Sequence, residues 1–269
     1  MRRLTLALAA LSLTLGAAGA SADDAATAPA RAEPIRISAE YTGSVLIFQV
    51  ASIQVSSEIG DENYSANARF RAAGLAALFS DADIEAGVSG YNEGAHLQPW
   101  QYRHRNHASS KNRVIEINFP DRVAEPNITP PFGSMGEPPA SAAQRAGAID
   151  PLTGMMSLAL NFRSNGGEPC TGRIPVFDGK ARYNLRLERG GLDTVRNRGY
   201  RGEAIVCNGY YEPIAGYDPE DQPSAEDIAE PVTLWLAPFA DGAVYFPVRI
   251  RANAGFGGIT VEARSISVE

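Results

Sequence analysis

Four stretches of this chain alternate apolar and polar side chains with a period of two, and such a segment can bury a single face only as a β-strand. Tyr64, Ala66, Ala68 and Phe70 alternate with Ser65, Asn67, Arg69 and Arg71. Ile84, Ala86 and Val88 alternate with Asp83, Glu85 and Gly87, and Tyr183, Leu185 and Leu187 with Arg182, Asn184 and Arg186. Val244, Phe246, Val248 and Ile250 alternate with Tyr245, Pro247, Arg249 and Arg251. One greasy and one wet face per stretch predicts antiparallel sheet. Val45 to Val50 is apolar on both parities and reads as a strand covered on both sides. Ile259, Val261 and Ala263 share one parity while Ile266 and Val268 share the other, so a bulge near Arg264-Ser265 is needed to restore a common face. Gly60-Asp61, Ser89-Gly90-Tyr91-Asn92, Asp178-Gly179, Asp241-Gly242 and the Gly-Gly pairs read as turns.

One segment changes period. Asp150-Pro151 reads as an N-cap followed by proline at the first helical position. Leu152, Met155, Met156, Ala159 and Leu160 then share a helical face, which predicts a helix near residues 150–164, ended by Gly166-Gly167. Gly154 costs that helix about 1 kcal/mol, so packing against the sheet must hold it. Residues 120–142 carry six prolines and read as a long irregular loop without a strand, and Asp218 to Pro231 reads as an acidic loop. No flexible linker separates the strand groups. Residues 35–269 are therefore expected to form a single antiparallel β domain around one helix.

The start of the chain reads as a targeting segment. Arg2 and Arg3 precede an uncharged apolar run from Leu4 to Leu15, and Gly19-Ala20-Ser21-Ala22 offers a small-residue cleavage site. Residues 1–22 are expected to be a signal peptide and 23–34 a disordered leader, with the mature protein in the periplasm. The apolar run is too short and its downstream flank too acidic for a stable membrane anchor. Losing Arg2 and Arg3 leaves 22 basic against 31 acidic residues, and that balance repels phosphate backbones, which argues against a nucleic-acid partner. In an oxidising compartment the two cysteines, Cys170 and Cys207, are expected to pair. The competing reading, two free or metal-binding thiols, has no Cys-x-x-Cys or neighbouring histidine behind it.

The chemistry-bearing residues are sparse. Arg103, His104, Arg105, Lys111 and Arg113 form the densest cationic cluster, backed by Trp100 and Tyr102. They could meet an anionic headgroup, a glycan or an acidic partner, or simply line a solvated face; as a strand, Trp100, Tyr102 and His104 would point one way and Gln101, Arg103 and Arg105 the other. His96, His104 and His107 lack the companions of a zinc set, and the acidic run from Asp218 lacks the glycine and spacing of a calcium loop, so no metal and no cofactor is expected. Gly87-Val88-Ser89-Gly90-Tyr91 misses the nucleophile-elbow pattern, and no catalytic residue stands out.

Several motifs, in order, resemble a family of exported bacterial proteins known as domain of unknown function 3108. They are Gly147 to Thr153, Val176 to Leu185, Ile214 to Pro219, Trp235 to Pro238 and Phe246 to Ile250. Cys170 and Cys207 stand where the family carries a matching pair, and Asp121 to Ala143 looks like an insertion. The resemblance implies a periplasmic protein whose long antiparallel strands curl into an open or partly closed barrel, similar to the periplasmic lipoprotein carriers, around one helix. It brings no activity and no catalytic residues. The expected role is binding rather than catalysis: a lipid, an acyl chain or a lipoprotein anchor in the concave face, lined by Leu152, Met155, Met156 and Leu160. The rivals are a scaffold for envelope proteins and a hydrolase whose site has no recognisable motif.

Overall fold

The computed structural model describes residues 33–78, 80–108, 112–164, 168–254 and 257–269. The expected signal peptide and most of the leader lie outside them, as do Lys111 and Gly166-Gly167. The strands run in chain order as β1 Ile35–Val45, β2 Phe48–Ile59, β3 Asn63–Ala72, β4 Asp83–Asn92, β5 Leu97–Asn106, β6 Val114–Asn118 and β7 Glu125–Thr129. Two helices follow, α1 Ala142–Arg145 and α2 Pro151–Ser164. Then come β8 Gly172–Phe177, β9 Arg182–Arg196, β10 Arg201–Ala215, the short α3 Ala225–Ala229, β11 Val232–Phe239, β12 Val244–Ala254 and β13 Gly257–Val268.

All 13 strands belong to one antiparallel sheet, in the order β7-β6-β5-β4-β3-β2-β1-β13-β12-β11-β10-β9-β8. The sheet does not close into a barrel; β7 and β8 remain its edges. It nonetheless curls, because α2 packs against β3, β4 and β5 from one half and against β8 and β12 from the other. The expected bulge is present: Glu40 faces Ser265 and Tyr41 faces Ala263, leaving Arg264 as the extra residue.

The helix begins as its sequence predicts. Asp150 Oδ1 accepts from the backbone N–H groups of Leu152 (3.0 Å) and Thr153 (2.9 Å), and the Thr153 hydroxyl donates to Oδ2 at 2.5 Å. Tyr64 of β3 shares a 2.6 Å hydrogen bond with the same hydroxyl, so the cap is fastened to the sheet. Asp150 and Thr153 are fully buried. Along the helix, Leu152, Met156, Ala159 and Leu160 join Ile37, Tyr41, Val55, Tyr64, Val88, Tyr102 and Ile117 in the main core. Leu158 turns to a second cluster with Ile174, Val176, Leu187, Leu234, Leu236 and the Cys170–Cys207 disulfide. That disulfide ties the segment entering β8 to β10, across the intervening β9.

Several expectations are corrected. Val45 to Val50 is not a covered strand but a hairpin turn between β1 and β2, with Leu46 and Ile47 at its exposed tip. The proline-rich stretch contains a strand after all; β7 includes Pro126, and an edge strand tolerates proline because one side of its backbone needs no ladder donor. Ser89 to Asn92 continues β4 instead of turning. Trp100 does not share a face with Tyr102: the register shifts at Ser89/Gly90, where Gln101 and Pro99 find partners and Trp100 is the bulge, exposed against the edge of Tyr91. Gly190-Gly191 is likewise a bulge inside β9, not a turn. Beyond it the β9–β10 hairpin reaches over the neighbouring strands, where Asn197 Nδ2 donates to the Val248 carbonyl at 2.8 Å and Val195 and Ala204 pack with Trp235 and Ala237. Val248 joins this separate cluster, leaving Val244 and Phe246 in the main core, because β12 shifts register beside Trp235/Leu236.

Two stability measurements follow from this construction. Replacing both cysteines by alanine reopens a loop of about 38 residues and should lower urea-unfolding stability by roughly 3–4 kcal/mol; a loss below about 1 kcal/mol would show the link to be idle. Burial pushes the Asp150 carboxyl up to about 6, against the opposing pull of its capping hydrogen bonds. A folded value above the unfolded 3.8 means the folded chain holds this proton more tightly, so stability is lost as pH rises from about 4 through about 6. Asp150→Asn keeps a capping acceptor and removes the titration. Relative to that variant, the natural chain should lose about 3 kcal/mol between pH 4 and pH 7, and parallel pH profiles for the two proteins would contradict the assignment.

Candidate functional site

Leu152 and Met156 are buried in the core and Met155 is partly buried against it, whereas Leu160, also buried, lines a cleft of about 420 Å³ with His96, Leu97 and Ile174. A second cleft, of about 460 Å³, lies at the rim, where the two halves of the curled sheet meet. Its residues come from six separate segments, and the local sequence explains how each arrives.

The β5–β6 hairpin supplies Tyr102, His104 and Ile115. His104 stands directly opposite Ile115, two residues beyond buried Tyr102 on the same face. The Asp-Gly turn after β8 supplies Asp178, Lys180 and Ala181; Asp178 Oδ1 accepts from the backbone N–H of Lys180 (2.9 Å) and of Ala181 (2.7 Å), which fixes the turn. Gly179 has φ +108, and a Cβ there would lie 2.6 Å from Ile115 Cγ2, so only glycine lets this turn close on β6. Gly216 and Tyr217, past the end of β10, complete one wall, and Pro151 contributes the foot of the helix. Gly216 is equally constrained: φ is +88, and a Cβ would come within 2.0 Å of the Lys180 carbonyl. Phe132 closes the other wall from the proline-rich loop, held by the Arg113 guanidinium 4.3 Å from its ring centre.

The same loop seals the seam between the sheet edges. Glu137 N–H donates to the Tyr217 carbonyl (2.9 Å) and Gly216 N–H to the Pro138 carbonyl (3.2 Å). Farther along, Gly147 N–H donates to Arg122 O, while Ile149 N–H donates to Pro175 O and Phe177 N–H to Ile149 O. Residues 136–149 thus stand where a closing strand would be.

The cleft sets one cation, Lys180, among the carboxylates of Asp178, Asp218 and Asp221. Lys180 Nζ lies 2.6 Å from Asp218 and 3.8 Å from Asp221, and the Asp218 contact raises the Lys180 pKa while lowering that of Asp218. Burial holds the His104 imidazole below its ordinary range, with Asp178 pulling the other way, so His104 is neutral at pH 7. Burial raises the phenols of Tyr102 and Tyr183 well above theirs. Tyr211 and Tyr217 share a hydrogen bond, and the Tyr183 and Tyr211 rings lie tilted with their centres 4.7 Å apart. The cleft therefore presents aromatic and aliphatic walls, a neutral imidazole and a cation already neutralised by carboxylates.

The cationic cluster read from the sequence separates in space. Arg103 pairs with Glu116 at 3.5 Å on the outer face, and Arg105 donates to Asn112. Arg113 donates to the carbonyls of Pro130 and Pro131, while His104 faces the cleft. His107 contacts Glu85 at 3.1 Å, and His96 lines a different cleft with Leu160. Among the described residues no group of three or more metal-binding side chains converges. Phe132, Asp178, Lys180, Gly216 and Tyr217 were not singled out individually, although all but Phe132 lie within segments that carry the family resemblance, Val176 to Leu185 and Ile214 to Pro219.

No match is found among curated proteins. Among solved structures, the chain is similar to a beta-barrel-like protein of domain of unknown function DUF1849 from Brucella abortus, at 11% identity and a TM-score of 0.50, over 89% of this chain and 99% of that one. At that identity the likeness concerns the fold alone. The sequence profile described as protein of unknown function DUF3108 matches residues 37–264, and the chain belongs to that family.

Proposed function

We propose that the protein is an exported envelope protein that binds an amphiphile, such as a lipid or an acyl chain, in the rim cleft. The observation that carries this reading is a 460 Å³ cleft walled by Tyr102, Ile115, Phe132 and Tyr217, with His104, Asp178, Lys180 and Asp221 as its polar groups. Its size falls within the range of small-molecule sites, and apolar burial there contributes about 0.8 kcal/mol per methylene. His104 and the Lys180–Asp218 pair would meet the polar end of the ligand. Binding is favoured over catalysis because two of the charged groups at the cleft already hold structural partners: Asp178 fixes its turn and Lys180 is matched by Asp218. The disulfide supports export to an oxidising compartment.

Native mass spectrometry of protein purified after export should reveal a co-purifying amphiphile, and a fluorescent fatty acid should be taken up. Phe132→Ala, which removes a wall, and Ala181→Trp, which fills the cleft, should each weaken uptake at least about tenfold, the loss expected from a few displaced methylene contacts. Absence of both co-purified lipid and uptake, or uptake indifferent to both substitutions, would overturn the proposal.

A further inference from the structure

The β1–β2 turn breaks two rules at once. Val45 pairs with Phe48, which leaves a two-residue turn of Leu46 and Ile47. Leu46 has φ +54, a conformation that glycine or asparagine adopts with far less strain, and such turns normally carry those residues. The tip is also greasy: Leu46 is 71% exposed, Ile47 87% and Phe48 49%. Among the described residues nothing buries this strained, projecting, apolar turn.

The turn has apolar neighbours. Leu46 N–H donates to Gly258 O and Val45 pairs with Ile259, which sets the start of β13 beside it. On the other side, Ala73 N–H donates to Val50 O, bringing the 3-10 turn Gly74–Leu78 alongside, with Leu78 72% exposed. None of the three segments carries a charge: there is none between Glu40 and Glu58, between Arg71 and Asp81, or between Arg251 and Glu262. Antiparallel connectivity puts these tips at the same end of the sheet as the β5–β6 and β8–β9 turns.

From these observations we infer that the β1–β2 tip docks on a lipid surface, with Leu46, Ile47 and Phe48 entering the interfacial layer. A projecting tip has to be enclosed by its partner, and a fluid acyl layer does so without a preformed groove. The three adjoining segments carry no ionised group of their own to desolvate as the tip enters, and Glu230, which accepts from Asn253 Nδ2 at 2.9 Å, stays at the level of the polar headgroups. The excess of acidic residues, 31 against 22 basic once the expected signal peptide is removed, opposes anionic membranes, so the surface recognised is a zwitterionic one. This goes beyond ligand binding in the cleft and rests on different residues.

The test uses protein purified after export and vesicles of zwitterionic phosphatidylcholine. The emission of the indole introduced by Phe48→Trp, read as the difference from the natural chain, should shift to the blue on adding vesicles, and acyl-brominated lipid should quench it. In flotation, Leu46→Asn/Ile47→Asp should lower the vesicle-bound fraction at least tenfold with a melting curve no lower than that of the natural chain, whereas Phe132→Ala should float like the natural chain. A Phe48→Trp difference signal that stays unshifted at millimolar lipid would overturn the inference. So would self-association that Ile47→Asp abolishes while no protein floats, because the tip would then serve a second copy of this chain.

Discussion

A single buried helix governs the shape of this protein. A 13-stranded sheet presents far more greasy face than one flat layer can hide, and α2 gives that face something to wrap. The helix is positioned at its first turn, where Asp150, Thr153 and Tyr64 form a buried chain of hydrogen bonds linking the cap to β3. From there Met156 and Leu160 serve the core shared with β1–β6 and with Phe177, Val244, Phe246 and Ala263 from the other half, while Leu158 serves the cluster around β8–β11. Both halves of the sheet are thus held by one short element. Burying a carboxyl to do this carries an electrostatic cost that grows with pH.

Curling without closing leaves two free edges, and the chain manages them with irregular backbone. Residues 136–149 hydrogen-bond to Arg122 beside β7, to Pro175 and Phe177 of β8, and to Gly216 and Tyr217 beyond β10. Covering edges in this way removes templates for unwanted strand pairing. It also creates the cleft, because loop and turns meet with less regular packing than strands do. Glycines at 179 and 216 allow the close approaches on one side, and Phe132 forms the wall on the other.

Much of the sheet was legible because alternation is a local signal. The faces of β3 and β4 follow directly from residue parity, as does the bulge at Arg264; in β9 parity places Leu187 inside but misses Arg182, which is read as wet yet is buried with its guanidinium donating to Gln144 O. The helix was legible from Asp150-Pro151 and its spacing. Where the reading failed, the cause was equally local: an apolar run at Val45 to Val50 looks the same in a covered strand and in an exposed turn. Pro126 argued against a strand only because edge position, a tertiary property, was invisible. The cleft was hardly legible, since Tyr102, Phe132, Asp178 and Gly216 meet only once the sheet has curled. Even His104, singled out for its charge, lies in the cleft as a neutral group.

The claim at the centre is that α2 stabilises both halves of the sheet together. Native-state hydrogen exchange on Met156→Ala tests it most directly, because Met156 is fully buried and its truncation should cost about 2–5 kcal/mol. The account predicts that the amides of Ala66 in β3 and Cys207 in β10 lose protection by the same amount. Loss confined to β3 and its neighbours, with Cys207 unchanged, would contradict it.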